Sequence, residues 1–206
     1  MLAFAQVARA GDGFFVTASA GQSRVKTNYV SRYLDSARSS LPQSKLDGRN
    51  LYWSVGVGYG LTNLLRVVAG YEDWGKSTAS SAAADGTALY PLTVEAKGVY
   101  AAYAPVLQLA LGLELQAEVG FLYSDLHLGT NFGSINNVSD TNVRASYSLR
   151  PRYGLGLAYK IPVLDVKVGI KYLQIDLPDA RVSAGSAFST GNIRPSTVVV
   201  SAQYSF

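Results

Sequence analysis

The sequence predicts an all-β chain that crosses a membrane as an eight-stranded, antiparallel, up-and-down β-barrel. Three observations carry that prediction. Apolar and polar residues alternate with a period of two over most of the chain. The connections between alternating segments are by turns short and long, as in transmembrane barrels. Charged residues make up 16% of the 206, against roughly 25% in soluble chains. Apolar residues reach 48%, yet no run approaches the ~18 residues of a membrane-spanning helix.

Strands are expected at 13–22, 50–61, 64–74, 92–103, 107–124, 142–160, 164–174 and 195–206. In the fifth, Leu107, Leu109, Leu111, Leu113, Leu115, Ala117, Val119, Phe121 and Tyr123 share one face, and Gln108, Gly112, Glu114, Gln116, Glu118 and Gly120 the other. In the sixth, Leu149, Tyr153, Leu155, Leu157 and Tyr159 oppose Arg150, Arg152, Gly154, Gly156 and Ala158. A helix would scatter both sets around its circumference, whereas an extended strand separates them. The seventh sets Leu164, Val166, Val168, Ile170 and Tyr172 against Asp165, Lys167, Gly169 and Lys171. Short turns are expected at Leu61-Thr62-Asn63-Leu64, Ala104-Pro105-Val106 and Ile161-Pro162-Val163. Long loops cover 23–49, 75–91, 125–142 and 176–194. An even strand number returns both ends to one side.

The uncharged apolar face suits hydrocarbon, so it is expected outside, with Leu113 near the bilayer midplane. The polar face is Gly, Ser and Thr with scattered charges, and glycines such as Gly56, Gly58 and Gly70 leave room in a narrow interior for large neighbours. Trp53, Tyr71, Phe121, Tyr123, Tyr147 and Tyr172 fall near the long-loop rim; Tyr59, Tyr100, Tyr159, Tyr204 and Phe206 fall near the short-turn rim. Two such levels are the interfacial girdles of a barrel.

The first ten residues, MLAFAQVARA, have the small-x-small form Ala8-Arg9-Ala10 of a secretory cleavage site. Residues 1–10 are therefore expected to be the remainder of a signal peptide, and 11–206 a single barrel domain. At the other end, Val198, Val200, Ala202, Tyr204 and Phe206 alternate up to a terminal aromatic. This resembles the C-terminal signal of bacterial outer-membrane proteins. That likeness implies recognition by the barrel assembly machinery, a Gram-negative outer-membrane location and both termini periplasmic. Gly70-Tyr71-Glu72-Asp73-Trp74-Gly75 is similar to a third-strand pattern of OmpA-like barrels. Together these residues resemble the OmpA/OmpX-like superfamily. The resemblance is to the barrel domain, with no counterpart expected for the peptidoglycan-binding domain of OmpA proper. It implies a fold but no particular activity.

Composition narrows the chemistry. Cysteine is absent, which removes disulfides and thiolate sites. The net charge of +4 and a pI near 9.2 come without a basic block or aromatic-basic motif, which argues against nucleic acid. Outer-membrane lipid and lipopolysaccharide are the better partners for scattered basic residues. The inward constellation is expected to be Glu95, Lys97, Glu114, Glu118, Arg150, Arg152 and Lys171. Charges in a narrow lumen must pair. A turn near 104–107 brings Lys97 toward Glu114, while the fifth and sixth strands bring Glu118 toward Arg150 and Glu114 toward Arg152. Such a network is a structural plug, a gate or a proton path. The first long loop offers Arg24, Lys26, Arg32, Arg38, Lys45 and Arg49 to lipopolysaccharide phosphates, or forms a plain solvated loop.

No metal or cofactor site is indicated. Barrel enzymes that modify lipid A exist, but the deacylase pattern His-x-Ser fails because His127 is followed by Leu128 and Gly129. Ser124, Asp125 and His127 are near in sequence, which does not make a nucleophile and base. The expected role is a structural or surface-interaction barrel whose loops meet lipopolysaccharide, host surfaces or neighbouring proteins. A narrow pore or small-solute conduit is the alternative, followed by a lipid A-modifying enzyme.

The terminal pattern yields a first test. Deleting Phe206, or replacing it with a charged residue, is expected to lower the yield of heat-modifiable, membrane-embedded protein; normal yield removes the support drawn from the C-terminus.

Overall fold

The period-two pattern resolves into eight long strands. The computed structural model describes residues 13–27, 43–47, 49–82, 88–130, 141–176, 181–184, 186–189 and 193–206. The barrel strands are β1 (Gly13–Thr27), β2 (Arg49–Thr62), β3 (Leu65–Ala82), β4 (Ala88–Gln108), β5 (Leu113–Thr130), β6 (Thr141–Lys160), β7 (Val166–Ile175) and β8 (Ile193–Ser205). Each pairs antiparallel with its sequence neighbours, and β1 closes on β8 from Phe15↔Ser205 to Thr27↔Ile193. Closure leaves no open edge among the membrane-crossing strands, which hydrocarbon demands because it offers nothing to a bare N–H or C=O. Beyond the wall, Gln43–Asp47 pairs with the far end of β3, and Arg181–Ala184 pairs with Ser186–Ser189. Among the described residues no helix is long and apolar enough to cross a membrane. The expected signal remnant, 1–10, lies outside the described residues.

The alternation was legible, but its ends were not. β3 and β4 run to Ala82 and from Ala88, well into the stretch expected as loop, because each still has a paired neighbour there. The larger correction concerns the turn expected at Ala104-Pro105-Val106. β4 passes straight through it. Pro105 is exposed and stands opposite Leu65, and Val106 donates its N–H to the Leu64 carbonyl at 2.8 Å. A proline lacks a donor but is tolerated where its ladder has a gap. The β4–β5 ladder has such a gap between Tyr103↔Val119 and Val106↔Gln116. The chain reverses instead at Leu109–Leu113, through a short 3₁₀ turn with Leu111 (φ 63°) and Gly112 (φ 77°) both left-handed. Gln108↔Glu114 is the innermost pair, so Lys97 faces Asp125 and not Glu114.

β4 also shows the opposite face from the one expected. Ala96, Tyr100, Ala102 and Ala104 are buried, while Val99 and Tyr103 are exposed on the other parity. Glu95 and Lys97 therefore point outward near the long-loop rim, paired with each other at 2.9 Å, and Tyr100 leaves the girdle for the interior. Both parities of β4 mix alanine with one or two large residues, so the pattern carries little contrast. Space decides: a Cβ on Gly56 would lie 2.6 Å from the Tyr100 hydroxyl, and one on Gly58 would lie 2.2 Å from Phe15. Those inward glycines make room for two inward rings.

The other strands keep their expected faces. Outward aromatics gather near the short turns, with Phe14 against Tyr59 (4.9 Å between centroids) and Tyr204 against Phe206 (5.1 Å). Trp53 and Tyr71 meet at 5.6 Å nearer the long loops. Leu113, expected at the midplane, is the first residue of β5 and lies at the short-turn rim. Val119, 61% exposed, occupies the middle of the apolar outward row. Val119→Arg is thus expected to cost roughly 2–4 kcal/mol and Leu113→Arg about 0–1 kcal/mol, read by urea unfolding in vesicles. The reverse order would move the midplane back toward Leu113.

Candidate functional site

The lumen gathers its charges in two tiers. The tier nearer the short turns centres on Glu114 of β5, which two cations share. Arg66 of β3 grips it with both terminal nitrogens at 3.0 and 3.1 Å, and Lys167 of β7 reaches it at 3.0 Å. The Gln116 amide also donates to it at 3.3 Å. Residues two apart on a strand share a face, so Glu114, Gln116 and Glu118 enter the lumen from one row.

The second tier centres on Arg152 of β6, which is 2% exposed. Its Nε donates to Glu72 at 3.0 Å and its Nη1 donates to Glu118 at 2.6 Å. Its guanidinium lies 4.3 Å from the centre of the Tyr100 ring. Lys171 of β7 donates to the other Glu118 oxygen at 2.6 Å. Glu72 is completely buried and also accepts from the Tyr52 hydroxyl at 2.9 Å and the Trp74 indole at 3.0 Å. Trp74, two residues on from Glu72, shares its inward face, and the ladder to β4 bulges beside it. Gly75, at φ 74°, adopts a conformation that favours glycine, and its N–H is held by Asp73 at 2.8 Å. Two carboxylates and two cations balance, and each carboxylate has several donors, the condition for tolerating buried ions.

Toward the long loops the lumen turns apolar. Tyr52, Trp74, Leu122, Leu173, Ile175 and Val199 form one buried cluster, with the Tyr52 and Trp74 rings edge-on at 4.9 Å. Between the two tiers lies a cavity of about 20 Å³, bordered by Thr17, Ser54, Gln116, Glu118, Arg152 and Gln203. That volume admits about one water.

The structure brings together Glu114, Glu118, Arg152 and Lys171 of the expected constellation in these tiers, with pairings that differ from those expected. Glu114 pairs with Arg66 and Lys167, and Glu118 with Arg152 and Lys171, because the β5–β6 register sets Glu118 against Gly154. Arg150 projects inward nearer the long loops, and its buried Nε has no hydrogen-bond partner. Glu95 and Lys97 are outside the lumen. Sequence reasoning missed Glu72, Arg66 and Lys167 as members. Each stands on the inward parity of its strand, so parity would have found them; their partners, two or three strands away around the wall, were not legible from hairpin neighbours. Ser124 is buried with its hydroxyl unpaired. Among those residues no cluster of three His, Cys, Asp or Glu gathers to hold a metal.

Of the basic first loop, Arg32 and Arg38 lie outside the described residues, and Lys26 and Lys45 are described by backbone alone. Arg24 and Arg49 stand directly opposite each other across β1 and β2, both exposed.

A closed antiparallel barrel with an apolar outer wall, two aromatic levels and a charged, buried interior defines an integral membrane barrel of the outer-membrane type. The chain belongs to the family of OmpA-like transmembrane domains, whose profile matches residues 9–206. That family points to the Gram-negative outer membrane and its lipid bilayer. No curated protein sequence matches it. The fold is similar to that of Neisserial surface protein A, at TM-score 0.54 and 11% identity over 96% of this chain and 100% of that one. It is also similar to Ail, the attachment invasion locus protein of Yersinia pestis, in a complex with the heparin analogue sucrose octasulfate. There the TM-score is 0.52 at 15% identity, over 96% and 100% of the two chains. The outer membrane protease OmpT of Escherichia coli gives 0.51 at 8% identity, over 100% and 99%. Identities this low speak to the fold alone.

The two tiers generate a stability test. Arg152→Ala strands Glu72 and takes one of the two cations from Glu118, and is expected to cost about 3–5 kcal/mol. Arg152→Met combined with Glu72→Gln, which leaves Glu118 paired with Lys171 and no carboxylate unpaired, is expected to cost less than Arg152→Ala by itself. Urea titration of refolded protein reads both.

Proposed function

We propose that the chain is a structural or surface-interaction barrel whose interior is closed by ion pairs and whose long loops act at the cell surface. In this reading the short turns and both termini face the periplasm, the C-terminal row is read by the barrel assembly machinery, and the loops meet lipopolysaccharide, host surfaces or neighbouring proteins. The observation that carries it is the filled lumen. Glu72, Arg152 and Glu114 are buried in two paired tiers, and the space between them admits about one water. A conduit needs a continuous water path, which eight strands seldom leave. Ail, of similar fold, is known in complex with a heparin analogue, and a polyanion is a partner chemistry that would suit the basic residues of the first long loop here.

A narrow pore is the second reading, and the ion pairs favour it if they exchange partners. Purified protein in a planar bilayer separates the two. The closed barrel is expected to carry no steady current, and Glu114→Ala to lose stability without gaining any. A gate would instead give Glu114→Ala a raised open probability in a barrel that stays folded.

A further inference from the structure

Beyond the second tier, the interior holds two polar groups that the ion pairs do not use. Arg150 and Arg152 stand two apart on β6 and share its inward face. Arg152 takes both carboxylates of its tier. Arg150, one inward position nearer the long loops, takes neither. Its Nε is buried without a hydrogen-bond partner, and no carboxylate pairs with it among the described residues. Asp176, just past the end of β7, is engaged by the Tyr153 hydroxyl and by Arg194.

The second group is on β5. Ser124 is 1% exposed, and its hydroxyl is also buried and unpartnered. The β5–β6 register sets Leu122 opposite Arg150 and Ser124 opposite Ser148. Ser124 and Arg150 are therefore diagonal neighbours on the inward face. Such neighbours lie about 7–8 Å apart, within reach of a long side chain. The two do not bond each other, since neither has a partner. A buried donor without an acceptor loses its hydration and gains nothing in return. A guanidinium edge and a hydroxyl so placed call for one shared acceptor.

The surroundings narrow its chemistry. Leu122, facing Arg150, and Ile175, facing Arg152, are completely buried in the apolar cluster that closes the bore. Arg150 as a whole is only half-buried, so the open side is the long-loop end. The second tier is neutral by itself, which leaves Arg150 as one positive charge for a monovalent anion to balance. The Nε edge of a guanidinium is a planar fork of two donors that matches the two oxygens of a carboxylate. The Ser124 hydroxyl supplies a third donor.

We propose that Arg150 and Ser124 form a binding site for a small monovalent carboxylate at the long-loop mouth of the lumen. The site stands over the closed part of the bore, and it is independent of what the long loops contact.

The test is NMR of the refolded, 15N-labelled full chain in detergent micelles, with sodium acetate replacing sodium chloride at constant ionic strength. The amides of Leu122, Ser124 and Arg150 are expected to shift together and to saturate; no saturable shift overturns the site. Arg150→Gln is expected to weaken acetate at least about 10-fold and Ser124→Ala about 3-fold, the worth of a charge-assisted and of a neutral hydrogen bond. Unchanged affinity in Arg150→Gln overturns the assignment. Arg150→Lys keeps the charge without the fork and is expected to bind more weakly; affinity equal to wild type overturns the carboxylate geometry. Inorganic phosphate that saturates the same amides at lower concentration than acetate overturns the choice of a monovalent carboxylate. Urea titration separates ligand from scaffold. Without acetate, Arg150→Gln is expected to match wild type, and acetate is expected to raise the midpoint of wild type alone. An Arg150→Gln barrel destabilised without acetate makes Arg150 a structural group and overturns the proposal. Heat-modifiable migration reports the folding of each variant.

Discussion

Arg152 is the residue on which the interior depends. A guanidinium stays charged wherever it is placed, and burial in a narrow bore removes the water that would otherwise solvate it. Two carboxylates from different parts of the wall answer it, Glu72 on β3 and Glu118 on β5, with the Tyr100 face beneath. Each brings further obligations. Glu72 draws in Tyr52 and Trp74, and Glu118 draws in Lys171. Five other strands are thereby committed to one cation, and the small residues around it follow from the room its partners need.

The exterior follows from the inverse rule. Hydrocarbon accepts no charge, so the rows facing it are apolar and the polar alternates must turn inward. This is why the sequence could be read at all. Faces were legible where the contrast between rows is strong, as at Leu149–Tyr159 against Arg150–Ala158. In β4, each row mixes large apolar residues with small or polar ones, and the pattern could not say that Tyr100 and not Lys97 belongs inside. There the answer lies on β2 and β3, where Gly56 and Gly70 leave the volume that Tyr100 fills.

Register was less legible than face. Pro105 reads locally as a turn, and taking it so slides the β4–β5 hairpin by several residues. The actual reversal uses Leu111 and Gly112 in the left-handed region, and Leu111 is not a residue whose chemistry announces that conformation. The tiers were less accessible still. Arg66, Glu114 and Lys167 come from β3, β5 and β7, so their meeting depends on the curvature of the whole wall. A hairpin-by-hairpin reading sees adjacent strands and misses the bore. Function is a further step away, since the same architecture is found in a surface protein, an attachment protein and a protease.

The seam between β1 and β8 has a consequence in time. The Thr17 hydroxyl donates to the Ala202 carbonyl at 3.2 Å, across 185 positions of chain. The ladder that seals the wall therefore joins the first part of the domain to be synthesised with the last. Until β8 exists, β1 has one partner and a bare side, and the apolar rows have no hydrocarbon around them. Contacts of such long range form slowly, because the intervening chain must be ordered before they return any free energy. The circle therefore cannot close before the last strand is present.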